Sequence, residues 1–121
     1  MVSFRAIVAS GALLVLASNI GYADTGNVQG TVSQVIIDDS LFGGCVVAIS
    51  SDISTVLPAC GAGWVTLDCL VAFPESSKSI AQNKLSMIQL AMATGKQVRV
   101  HATDSRKANG YCLATRVDYI N

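Results

Sequence analysis

WVTLDCLVAFPESSKSIAQNKLSMIQLAMATGKQVRVHATD, residues 64–104, changes its hydrophobic period twice, and those changes decide the fold. From Trp64 to Phe73 apolar residues alternate, with Val65, Leu67, Cys69, Val71 and Phe73 on one face, the period of a strand. Pro74 stops that strand. Ser76 or Ser77 is placed to cap a helix, and Glu75 sits where its charge suits the helix amino end. From Lys78 to about Thr94, Ala81, Leu85, Ile88 and Met92 fall at helical spacing, flanked by Ile80, Met87 and Ala91. Alternation then returns, with Val98 and Val100 inward against Arg99 and His101 outward.

Working outward, Gly26 to Asp38 alternates imperfectly. Val28 and Val32 share one phase and Val35 and Ile37 the other, so this strand bends or bulges near Gly30 or Ser33. The segment DDSLFGG is a turn by composition, and Asp38-Asp39 beside Ser40 favours that turn rather than a calcium site, whose ligands alternate. CVVAISSDI, from Cys45, reads as the second strand, and STVLPACGAG as a loop. Beyond the middle segment, SRKANG is a polar loop. YCLATRVDYIN closes the chain as a last strand with Leu113, Thr115, Val117 and Tyr119 on one phase. The expected fold is thus mainly β with one helix, in the order β-β-β-α-β-β. That order is the one used by the five-stranded Greek-key barrel of the OB architecture. An open antiparallel sheet with one helix across it has the same order.

Residues 1–23 read as a signal peptide. Arg5 gives a positive start, AIVASGALLVLASNI is apolar, and Gly21-Tyr22-Ala23 ends in small residues, so cleavage is expected before Asp24. The apolar run is shorter than the roughly 20 residues that span a bilayer. Removing 23 residues from 121 leaves 98, one domain at 24–121, with no membrane span after cleavage. So small a domain buries only about 60 to 65 per cent of its unfolded surface, and a covalent staple helps it.

Cys45, Cys60, Cys69 and Cys112 all lie in that domain, and an even count in an exported chain reads as two disulfides formed in the periplasm or outside the cell. If strands two and three form a hairpin, Cys45 and Cys69 face each other across it, and Cys60 then reaches Cys112. A small Cys45–Cys60 loop is the competing connectivity. No C-x-x-C spacing occurs, and His101 is the single histidine, so no metal or cofactor site is expected. No acid-base pair or nucleophile motif accompanies His101, so no catalytic residue is assigned and the chain is read as a non-enzyme.

Outside the leader seven basic residues face eight acidic ones, because Arg5 is the only charge within residues 1–23. This balance gives no electrostatic pull on nucleic acid. Charged residues make up 13% of the chain, where about a quarter is usual, which suggests surface covered by a partner. Gly95-Lys96 resembles the pair of a phosphate loop. Such a loop precedes its helix, whereas Gly95 follows one and reads as the left-handed stop, with Lys96 complementing the negative helix end. The polar side of the helix, Ser79, Asn83, Ser86 and Gln89, is uncharged. Either small polar residues tolerate solvent there, or that side meets a partner or a water-filled channel. Asp68 is expected on the outward face of strand three. Trp64 reads as packing over the Cys60 loop, while Tyr111, near Arg106 and Lys107, is left open between packing and a stacking face.

Together ACGAGWVTLDC (59–69), SSKSIAQNKLSMIQLAMATGK (76–96) and QVRVHA (97–102) resemble the B subunits of bacterial AB5-type toxins, especially the subtilase-cytotoxin and pertussis-like kinds. They also resemble small secreted bacterial proteins of unknown function. The likeness runs from about Cys45 to Asn121. It implies an OB-fold, a pentamer assembled through helix 78–94 and strand edges, a pore lined by that helix's uncharged face, and a cell-surface glycan as ligand. It assigns no ligand-binding residue. A stand-alone periplasmic or secreted OB-like protein that binds another protein or a small ligand is the alternative.

Overall fold

The computed structural model describes residues 24–121; the expected signal peptide, 1–23, lies outside the described residues. Its elements are β1 (Thr25–Ile37), β2 (Cys45–Ile49), β3 (Trp64–Thr66), α1 (Lys78–Thr94), β4 (Gln97–Ala108) and β5 (Tyr111–Ile120), in the expected order. The strands close into a ring, β1-β2-β3-β5-β4, with β1 also paired to β4. Every pairing is antiparallel except β3 with β5, where Val65 meets Cys112 and Thr66 meets Leu113. This is the closed OB-like Greek key.

β1 serves both sides of the ring because it bends. Its first half pairs with β4, and its second half with β2, with the register slipping between Val32 and Gln34 as the change of hydrophobic phase requires. Val28 and Val32 face the core before the slip. After it Val35 is only partly buried, and Ile37 is exposed. The core fills the ring with Val47, Ile49, Val65, Val98, Val100, Ala114 and Val117, and Ile88 of α1 packs with them. Ser77 caps α1 by accepting from the Ile80 N–H at 3.2 Å. At the other end Gly95 is left-handed (φ 69°) and the Lys96 N–H returns to the Ala91 carbonyl at 3.1 Å, so the glycine is the helix stop that the sequence indicates.

Four expectations about elements need correction. β3 stops at Thr66 rather than running to Phe73, because Asp68 turns the chain; Val71 is exposed and lies outside the strand. Asp68 is not outward but 0% exposed, with φ 56°. Its carboxylate accepts from the Ala72 N–H (2.8 Å) and the Phe73 N–H (3.0 Å), which fastens the loop after β3 onto itself. Second, β2 ends at Ile49, and Ile53–Thr55 form a 3₁₀ turn capped by Asp52, which drives Ile53 and nearby Leu57 into the core. Third, the SRKANG loop is mostly strand. β4 runs on to Ala108 through two irregularities, and only Asn109-Gly110, both left-handed, make the hairpin turn, a geometry that suits strand twist. Fourth, the inner stripe of α1 is Ala81, Ile88 and Ala91, with Leu85 and Met87 partly buried. Met92 is 45% exposed because Ala91 takes the position against the barrel.

Disulfides join Cys45 to Cys69 and Cys60 to Cys112, with Cα atoms 5.5 and 5.3 Å apart. The first does not span facing strand residues. The Leu67 N–H donates to the Cys45 carbonyl, so Leu67 is opposite Cys45 and the turn at Asp68 brings Cys69 back.

Candidate functional site

Three aromatic side chains from distant parts of the sequence meet at the end of the barrel. Tyr111 opens β5, Trp64 opens β3, and Phe42 lies in the turn between β1 and β2. The Tyr111 ring is 5.7 Å from Phe42 and 6.4 Å from Trp64, tilted by 54° and 53°, and all three are half-buried. These are ordinary edge-tilted aromatic contacts. Each ring keeps part of its surface in solvent.

The backbone around them is tightly held. Phe42, Gly43 and Gly44 all have positive φ (59°, 69° and 88°), and the Phe42 N–H donates to the Asn109 side-chain oxygen at 2.8 Å. Thr66 Oγ1 donates to the Phe42 carbonyl at 2.7 Å. Asn109 is itself left-handed, so the β1–β2 turn and the β4–β5 turn lock through two residues in rarely occupied conformations. Under Tyr111 lies Gly61, whose N–H donates to the Gly110 carbonyl at 2.8 Å; a Cβ there would stand 2.6 Å from the Tyr111 ring. The Cys60–Cys112 bond ties the residues next to both. Strain of this kind in a large non-glycine residue, maintained by surrounding bonds, is found at binding sites. These two turns are also the loops through which OB barrels hold oligosaccharides and oligonucleotides.

Of the residues named from sequence, Trp64 and Tyr111 come together here. Arg106 and Lys107 do not join them: Arg106 Nε pairs with Glu75 at 2.9 Å and Lys107 Nζ donates to the Ala59 carbonyl at 3.3 Å. Phe42 was hidden by its setting. A single aromatic between turn residues and a Gly-Gly pair has no period to reveal it, and only that odd placement hints at a role.

A second polar feature lies on the wall of the barrel. Thr25, Gly26 and Asn27 of β1, His101 of β4, and Thr115 and Arg116 of β5 line a groove of about 310 Å³. Beside it, Asp118 receives three basic groups: Arg116 Nε at 2.7 Å, His101 Nε2 at 3.3 Å and Arg99 Nη1 at 3.7 Å. The Arg116 hydrogen bond, helped by His101, holds the Asp118 carboxyl below the ordinary carboxylate range against a weaker effect of desolvation. His101 faces outward, as its alternation indicates, and its partner is the Asp118 carboxylate. All four cysteines are in disulfides. Among the described residues no three His, Cys, Asp or Glu side chains gather as a metal site. Asp38 folds back to accept from the Ser40 N–H (2.8 Å) and the Leu41 N–H (2.6 Å), which lowers its pKa and makes it part of the turn.

The outer side of α1 carries Ser79, Asn83, Ser86 and Gln89, all exposed, and among them Ile80 and Leu90 at 50% and 52% exposure. Beyond the exposed Lys78 of the first turn it carries no charge, and it is more apolar than its serines and glutamine suggest. Comparison with protein-family models, with curated proteins and with solved structures finds no match.

Proposed function

We propose that this chain is an exported, non-catalytic binding module of the OB type that holds a cell-surface glycan on Phe42, Trp64 and Tyr111, and that it assembles as a homo-oligomer through α1, in the manner of toxin B subunits. The observation that carries the reading is the aromatic group between the β1–β2 and β4–β5 turns. Sugar rings present C–H faces that pack on aromatic rings, and half-buried rings fixed by a hydrogen-bonded backbone bind them without a large ordering cost. Two disulfides fit an oxidising, exported environment, and no helix among the described residues is long and apolar enough to cross a membrane. The near balance of charge argues against nucleic acid as the ligand. The uncharged outer side of α1, with Ile80 and Leu90 exposed, supports contact with a second copy.

The test is a glycan array, with light scattering for mass, on protein exported from the full-length gene. Glycan binding that is lost in Tyr111→Ala, by an oligomer, is the expected result. A strict monomer that binds nothing on the array would overturn the reading in favour of a stand-alone periplasmic or secreted module for a protein or small ligand.

A further inference from the structure

The groove on the β1–β4–β5 wall is a separate feature from the aromatic end, and its chemistry is different. Its volume of about 310 Å³ lies at the lower limit of small-molecule sites, which suits a ligand the size of one sugar ring. Around the Gly26 backbone, every side chain that lines it carries a polar group: hydroxyls on Thr25 and Thr115, the amide of Asn27, the imidazole of His101 and the guanidinium of Arg116. Arg116 uses Nε on Asp118, and among the described residues its two Nη groups make no hydrogen bond, nor do the side chains of Thr25 and Asn27. Donors and acceptors are thus already arranged around empty space.

Charge selects the ligand. Two permanent cations, Arg99 and Arg116, share a single carboxylate, Asp118, with the His101 imidazole, so this part of the wall is locally positive although the chain as a whole is neutral. Asp104 is held at the Thr25 end by accepting from the Asp24 N–H at 2.9 Å, so the negative charges of Asp24 and Asp104 stand at that end and the positive ones at the Arg116 end. An arginine held by one edge offers its remaining N–H groups as a fork, which matches a carboxylate in shape as well as charge. A bare ion would leave the Thr25 and Asn27 side chains without partners, while Thr115 already donates its hydroxyl to the His101 carbonyl at 3.3 Å.

We propose that this groove binds a small carboxylated ligand with a hydroxylated body, such as a uronic acid, with Arg116 receiving the carboxylate and Asn27, Thr25, Thr115 and His101 receiving hydroxyls. Asp118 is a positioning residue that aims Arg116. The inference is independent of the glycan reading at the aromatic end.

The probes are galacturonate, galactose and inorganic phosphate, titrated into the oxidised exported protein and followed by NMR at Arg116 Nε–H and the His101 ring. Galacturonate should move both signals and bind at least about tenfold more tightly than galactose or phosphate. Arg116→Gln should weaken it about tenfold or more, and because Arg116 is 68% exposed this variant should fold normally. Asp118→Asn should reduce the preference for galacturonate over galactose, and Asp118→Glu should restore part of it, a pattern that lost stability alone does not produce. Tyr111→Ala should leave galacturonate binding unchanged, which separates this site from the aromatic one. Equal binding of galactose and galacturonate, phosphate binding as tight as galacturonate, unchanged binding in Arg116→Gln, or shifts confined to Phe42, Trp64 and Tyr111 would each overturn it.

Discussion

Phe42 stands in the left-handed region, where a side chain meets backbone and costs about 1 to 2 kcal/mol relative to a relaxed residue. Replacing it with glycine relieves that cost while removing a tilted contact with Tyr111 worth about 0.5 to 1.5 kcal/mol. Phe42→Gly is therefore expected to change unfolding stability by less than about 1 kcal/mol while lowering the proposed glycan binding, as read by urea titration beside the array. Asp68 is the opposite case. Asp68→Ala removes two bonds to the 68–73 loop from a fully buried position, and a loss of about 2 to 4 kcal/mol is expected by the same titration. Neither residue was legible in the sequence. Alternation through WVTLDCLVAF placed Asp68 on an outer face, since a pattern of apolar residues does not register a carboxylate that pairs with amides four and five positions ahead.

Short elements in this fold depend on partners that replace missing ladder. β3 pairs with β5 at only two positions, and just beyond them the Ala114 carbonyl accepts from Lys84 Nζ of α1 at 2.8 Å. Burial pushes the Lys84 amine below its ordinary value, with the Asp68 charge acting the other way. Lys84→Met should cost about 1 to 2 kcal/mol by leaving that carbonyl unpaired, measured by chemical denaturation. Asp52 plays a similar part for the 3₁₀ turn, accepting from the Ser54 N–H and from the Gly63 N–H, both at 2.9 Å, so it ties that turn to the approach to β3. Those bonds lower its pKa, as comparable bonds do for Asp38 and Asp118. A carboxyl with a depressed folded pKa contributes stability that is present above its unfolded value near 3.9 and lost as pH falls through the folded value. Melting temperature should therefore drop as pH falls below about 4, and Asp52→Asn should flatten that decline. The long elements were legible, because β1, α1, β4 and β5 each repeat their period several times. Three-residue β3 does not, and the neighbouring apolar run disguised its end.

For the molecule as a whole, closure is a matter of distant residues meeting. Cys60 and Cys112 are 52 positions apart in the sequence and Cys45 and Cys69 are 24 apart, so on the loop-entropy account the bonds stabilise by about 4 and about 3 kcal/mol. Replacing each pair by serine should reproduce that order in denaturant midpoints. The connectivity agrees with the hairpin reading of the sequence, although the turn at Asp68, rather than facing positions, brings Cys69 to Cys45. Assembly has its own test. Leu90 is 52% exposed, so Leu90→Glu should leave the monomer's stability within about 0.5 kcal/mol and reduce the mass seen by light scattering if copies meet through α1. The ring order could be expected from the succession of elements, which is that of an OB-type Greek key. The wall groove could not, because Asn27, His101 and Arg116 become neighbours only through strand register.

Where the ring closes, β3 offers β5 two residues, and the Cys60–Cys112 bond lies beside them. Before that bond forms, the ten residues of β5 have little to keep their outer edge from a strand of another copy, and an unguarded edge is a template for aggregation. Synthesis in a reducing cytosol should accordingly yield precipitate, and formation of the two disulfides guards solubility as well as stability.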